Sequence, residues 1–219
     1  MNYGKISDMK ITKLGHCCLI IEEGEIKILT DPGEYTDAQN SVRGLTHVII
    51  THEHQDHFHV PSLKQVLANN PGVAVYTNRA VGNLMSREAL PYELLQHGDK
   101  QLFGDLEVEG IGTEHHVIYP AIPIIMNTGY MFGNKFFYPG DALTKPERPV
   151  ELLAMPITGP WLPIAEAIDY ARALKPKKCF PIHDGNIKAP EGMYRLSARI
   201  LQPEGINFEV FELGKNYDV

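Results

Sequence analysis

One stretch limits what this chain can fold into. The apolar run Val48-Ile49-Ile50 leads into His52-Glu53-His54-Gln55-Asp56-His57, so three imidazoles and a carboxylate fall within six residues. A short apolar run of this kind reads as a buried strand. A strand that ends in such a cluster delivers it at the sheet edge where open α/β folds keep their ligands. Imidazole is the commonest neutral metal ligand and suits Zn, Fe and Ni; carboxylate adds a harder donor that also suits Mn. The pattern is not a zincin helix, because H-E-x-x-H would need its second histidine at position 56, which is Asp. A His-rich surface loop is the plain alternative, and the H-x-H-x-D-H spacing after a strand argues against it.

Upstream, Lys10 to Leu14, Cys17 to Glu22 and Glu25 to Thr30 read as short strands broken at Gly15 and Gly24. His16 falls between the first two and is either a packed structural residue or part of a site. Asp31-Pro32-Gly33 is a turn signal, in which Asp31 either caps the turn or accepts a hydrogen bond from a metal-bound histidine. Residues 34–45 are polar and irregular. Helices are predicted from Pro61, from Asn78 as N-cap, from Pro163 and from Pro190, the last with Met193, Leu196, Ile200 and Leu201 inward. Further strands are predicted at 46–51, 73–76, 106–111, 128–132, 135–138, 151–156, 178–182 and 206–213. Hairpins come first, then strands alternate with helices, and no linker intervenes. The economical reading is one α/β domain over 1–219.

Three of these strands end in chemistry-bearing residues: Gly112-Thr113-Glu114-His115-His116, Pro139-Gly140-Asp141 and His183-Asp184. In the first, strand-then-loop logic aims one imidazole at a metal and its neighbour away, without saying which. The apolar, Pro-punctuated segment 117–123 reads as a loop over the site, serving either packing or substrate contact. Trp161, the only tryptophan, is either core or pocket wall.

The formal net charge of −7 makes the chain a poor general polyanion binder, since nucleic-acid affinity comes mostly from Lys and Arg on phosphates. A small anionic substrate stays open, because bound divalent metals reverse the local sign. Three cysteines, Cys17, Cys18 and Cys179, form no disulfide framework, and the adjacent Cys17 and Cys18, in an apolar run, read as small buried hydrophobes. No signal-peptide pattern or membrane-length apolar run is seen, so a cytoplasmic location is expected.

Thr51-His52-Glu53-His54-Gln55-Asp56-His57 resembles the signature of the metallo-β-lactamase-fold superfamily. Together with Leu14-Gly15-His16, Thr30-Asp31-Pro32-Gly33, Gly112-Thr113-Glu114-His115, Tyr138-Pro139-Gly140-Asp141 and Pro181-Ile182-His183-Asp184, the pattern is similar to the branch containing ascorbate-6-phosphate lactonase-like proteins. The likeness runs along nearly the whole chain. It implies a four-layer αββα sandwich. It also implies that His52, His54 and His115 hold one divalent metal, that Asp56, His57 and His183 hold a second, and that Asp141 bridges them. Zn is the first expectation, with Mn or Fe compatible with the same nitrogen and oxygen donors. Where the family often has Ser or Thr after the bridging Asp, this chain has Ala142.

The resemblance implies a metal-dependent hydrolase of a small ester, lactone or phosphodiester; two metals sharing a hydroxide would attack it, with Asp56 orienting the nucleophile and either His116 or a metal-bound water as candidate general acid. A di-iron redox or metal-sensing protein on the same scaffold is the alternative, and a nuclease or RNA-processing hydrolase the next. The expected partner is a small-molecule substrate, without nucleic acid or membrane, and homo-oligomers occur among similar proteins.

Overall fold

A computed structural model describes residues 9–219. The chain opens with three antiparallel strands, β1 (Lys10–Gly15), β2 (Cys18–Glu23) and β3 (Ile26–Thr30). β3 pairs parallel with β4 (His47–Ile50). Helix α1 (Val60–Asn69) crosses to β5 (Ala74–Thr77), and α2 (Arg79–Arg87) leads to β6 (Glu93–Leu94), both strands adding in parallel. β7 (Lys100–Phe103), β8 (Leu106–Ile111), β9 (Gly129–Phe132) and β10 (Phe136–Tyr138) then form an antiparallel run. β11 (Leu152–Pro156), β12 (Lys178–Ile182) and β13 (Asn207–Phe208) extend it in parallel, connected by α3 (Ile164–Leu174) and α4 (Glu191–Leu201). β14 (Asn216–Asp218) returns to the first sheet beside β1. The result is two seven-stranded sheets.

The apolar pattern explains the layering. In β4, Ile49 points into the cluster between the sheets, with Ile11, Leu19, Phe132, Phe136 and Phe180. Its neighbours Val48 and Ile50 face the other way, onto Leu63 and Val66 of α1 and Val81 and Met85 of α2. A strand covered on both faces needs a continuous apolar run, which is what 48–50 supplies. On the second sheet Leu153 and Met155 meet Ile168 and Ala171 of α3 and Leu201 of α4. The order is therefore helix, sheet, sheet, helix, the expected αββα sandwich. Asn78 caps α2 as expected, its side chain accepting from the N–H groups of Ala80 and Val81 at 3.0 and 3.2 Å.

Several expectations need correction. Leu196 is exposed, while Ser197 takes the buried position on α4. The predicted strand 206–213 shrinks to Asn207–Phe208, and Leu213 is exposed. The edge strands β6, β7 and β14 were not anticipated. They are short or polar, so they lack the alternation that marks a half-buried strand.

Candidate metal centre

The loops that follow β3, β4, β10 and β12 carry Asp31, the 52–57 cluster, Asp141 and His183. They converge, so the site lies beyond the carboxyl ends of parallel strands. Two groups of ligand-type atoms form there. His52, His54, His115 and Asp141 make one; His16, Asp56, His57 and His183 make the other, with the atoms of each within 4.8 Å of one another. The seven residues singled out from sequence thus all come together, and His16 joins the second group. Asp141 stands between the groups: Oδ1 is 3.1 Å from His57 Nε2, and Oδ2 is 2.9 Å from His183 Nε2 and 3.4 Å from His115 Nε2.

The donor set fits divalent metals. His57 Nε2, His115 Nε2, both ring nitrogens of His183 and Asp141 Oδ1 are buried without a hydrogen-bond partner. Buried polar atoms are nearly always satisfied, so three Nε2 atoms gathered on the Asp141 carboxylate call for a cation. Each group offers only His nitrogen and carboxylate oxygen, compatible with Zn, Mn or Fe.

The outer contacts are equally specific. Asp31 is fully buried and resolves the alternatives for that residue: its Oδ2 lies 2.7 Å from His57 Nδ1, leaving Nε2 to face the cluster. The same carboxylate accepts from Thr51 N–H and Thr51 Oγ1 at 2.7 Å each and from Tyr138 OH at 2.6 Å. Trp161 is both core and wall: it packs with α3, and its Nε1 donates to Asp141 Oδ2 at 3.1 Å. His16, open from sequence, is buried beside Asp56. Cys17 is buried as expected but also forms a third grouping with His57 and Asp141, so a thiol does lie near the set. Gly140 has φ of +64°, and a Cβ there would meet Asn127 Oδ1 at 2.4 Å; the glycine lets the backbone pass close to the centre.

Thr51, Tyr138 and Asn127 were not anticipated from sequence. Only their position at or beside strand ends hints at them. His116 does not enter either group. Its N–H donates to the Asp141 carbonyl at 2.8 Å, and its Nε2 is 3.4 Å from Glu166 Oε2 at the rim.

The field at the centre splits the histidines. Burial holds His52 and His54 below the ordinary imidazole value. Burial also disfavours charge on His57 and His183, but Asp141 more than reverses it and raises both well above that value. Burial would raise Asp141; His183 and His57 hold it well below the usual carboxylate range instead. Asp56 is likewise lowered, against burial, by its hydrogen bond to His16 and by the His183 imidazole 3.4 Å away.

An αββα sandwich with two His/Asp groups sharing one aspartate at its strand ends defines a protein of the metallo-β-lactamase fold. The chain belongs to the beta-lactamase superfamily domain family, whose model matches residues 10–183. It is 34% identical over 207 residues to Protein Rv0786c of Mycobacterium tuberculosis, covering 92% of this chain and 96% of the relative. A UPF0173 metal-dependent hydrolase of Carboxydothermus hydrogenoformans is 24% identical over 231 aligned residues, covering 94% and 98%. In fold, the chain is similar to the metallo-beta-lactamase fold protein YhfI of Bacillus subtilis, with a TM-score of 0.75 at 13% identity over 97% of this chain and 100% of that one.

Proposed function

We propose that the protein is a metal-dependent hydrolase with a dinuclear centre acting on a small ester, lactone or phosphodiester. The carrying observation is the set of buried, unpartnered nitrogens of His57, His115 and His183 aimed at Asp141. When bound, two divalent ions supply Lewis acidity and an activated water.

The chain's own residues do the rest. His52, His54 and His115 would hold one ion and Asp56, His57 and His183 the other, with Asp141 between the two groups. Asp31 fixes the tautomer of His57 by accepting from Nδ1. Asp56 orients the nucleophile. His116, half-exposed at the rim and paired with Glu166, can pass a proton to the leaving group. The name of the Carboxydothermus relative supports the hydrolase reading. The test is hydrolysis of esters, lactones and phosphodiesters by metal-loaded protein. Activity lost on chelation and regained with Zn, Mn or Fe supports the reading; no turnover of any class by protein holding two ions contradicts it.

A further inference from the structure

Among the described residues, the segments that carry the clustered side chains hold no fixed positive charge of their own. Segments 31–41, 51–59, 112–128, 139–144, 157–167 and 183–187 surround the two groups, and none contains Lys or Arg. They do contain Glu34, Asp37, Glu114 and Glu166, all exposed. Lys13, three residues before His16, is buried and committed: its Nζ donates to both carboxylate oxygens of Asp184 at 2.7 Å and to the Pro181 carbonyl at 2.8 Å. Lys145 and Arg148 line a neighbouring cleft with Glu109 and Glu147, which shares Gly112, Thr113 and Thr144 with the rim but includes none of the clustered residues. Lys188 is exposed beyond the last segment. A substrate carrying a phosphate or carboxylate away from the reacting bond would meet the carboxylates of these segments and no Lys or Arg within them.

The rim is apolar where it is not acidic. Of the ten exposed large hydrophobic side chains among the described residues, four fall within eight positions: Val117, Tyr119, Ile122 and Ile124. This loop is closed at its base by the His115 N–H to Ile125 carbonyl bond of 2.9 Å, and turned at its tip by Ile122 N–H to Tyr119 carbonyl at 2.9 Å. Beneath it, Ile118, Ile122, Pro123, Ile124 and Ile125 share a cleft with His54, His115 and His116. Tyr35, also exposed, sets its ring edge-on to His16 at 4.9 Å. Single exposed hydrophobics are ordinary, but a contiguous set joined to a polar centre marks a binding surface.

We infer that the 117–125 loop is an apolar subsite for the non-reacting arm of an uncharged ester or lactone, and that the site disfavours substrates with an anionic arm. This rests on the hydrolase reading above. Binding an arm there would also tie substrate to His115 through the loop's base, so the subsite and the metal ligand are one piece of chain.

Neutral alkyl hydroxamates from acetyl to octanoyl, with succinomonohydroxamate as the anionic member, would be titrated into the metal-loaded protein and followed by Trp161 fluorescence. Affinity should rise with chain length, by up to about fourfold per methylene. An Ile122→Ser/Ile124→Ser variant should flatten that rise, read as the ratio of octanoyl to acetyl affinity so that any change in acetohydroxamate binding is divided out. Succinomonohydroxamate should bind more weakly than butyrohydroxamate. A flat series, or tighter binding of the anionic member, would overturn the subsite. Parallel assays separate the two readings. Hydrolysis with a flat series leaves the hydrolase and removes the subsite, while a rising series with no hydrolysis of any ester, lactone or phosphodiester does the reverse.

Discussion

His16 Nε2 lies 3.1 Å from Asp56 Oδ2, across forty residues of sequence. The Gly185 N–H donates to His16 Nδ1 at 3.0 Å, so in the neutral ring the proton sits on Nε2 and points at Asp56. His16 also accepts the His183 N–H at its carbonyl, 3.2 Å away. One residue therefore braces two others of the second group, donating to Asp56 from its ring and accepting from His183 at its carbonyl. His16→Ala is expected to weaken the second ion by about 10- to 100-fold and spare the first. His16→Gln, which keeps an N–H donor, should recover most of that loss. Calorimetric titration of both variants checks this, and equal losses in the two would mean that the ring ligates directly.

Asp31 gathers four hydrogen bonds in a fully buried position. Asp31→Ala strands the Thr51 N–H and takes the 2.7 Å acceptor from His57 Nδ1, while Tyr138 OH keeps the Cys17 carbonyl; a buried polar group left unsatisfied costs about 1–3 kcal/mol. The expected loss of unfolding free energy is about 3 kcal/mol or more, read from the denaturant midpoint of metal-free protein. Asp31→Asn should lose less, because it keeps acceptor capacity and tolerates the left-handed φ of 37°. Equal midpoints for Asp31→Ala and the parent would contradict this account.

The Lys13–Asp184 pair ties β1 to the loop after β12, and Tyr194 OH also reaches Asp184, at 2.5 Å. Breaking a buried pair from one side typically costs about 3–5 kcal/mol. Lys13→Met should fall in that range, while Lys13→Met/Asp184→Leu should be less destabilised than the single variant. A double-mutant cycle on thermal or urea unfolding measures it, and strictly additive losses would show that the pair is not coupled.

The split among the histidines gives a pH signature. His57 and His183 are raised by Asp141 against burial. Without metal, their stabilising contribution is present below the unfolded imidazole value of about 6.5 and is lost as pH rises through their folded values. Asp56 and Asp141 are depressed, so their contribution holds above about pH 4 and is lost as pH falls. Metal must displace the protons on His57 and His183, so binding at neutral pH should release protons and tighten as pH rises. Titrations in buffers of different ionisation enthalpy would show it; a pH-independent affinity between about 6 and 8 would contradict it.

Much of the centre was legible in sequence because its residues sit at the ends of strands with plain apolar signatures. The 48–50 run, the Tyr138-Pro139-Gly140 exit and the Ile182-His183 step each read as a strand delivering a side chain. His16 and Asp31 stayed ambiguous because their roles depend on partners at Asp56 and His57, which no local pattern announces. Thr51 and Tyr138 were missed for the same reason: a hydroxyl at a strand end has many uses, and only the fold brings these two to Asp31. The chain's last strand failed differently. Leu213 looks like core by type, but β13 stops at Phe208 and the chain crosses to the other sheet.

The dinuclear centre is tested most directly by the metal content of protein purified without added metal, with His54→Ala and Asp141→Ala alongside. The parent should carry close to two transition-metal ions per chain. His54→Ala should keep roughly one, and Asp141→Ala, which removes the shared carboxylate, should retain neither tightly. Folded parent protein that takes up fewer than two ions even after addition of Zn, Mn or Fe would contradict the dinuclear account.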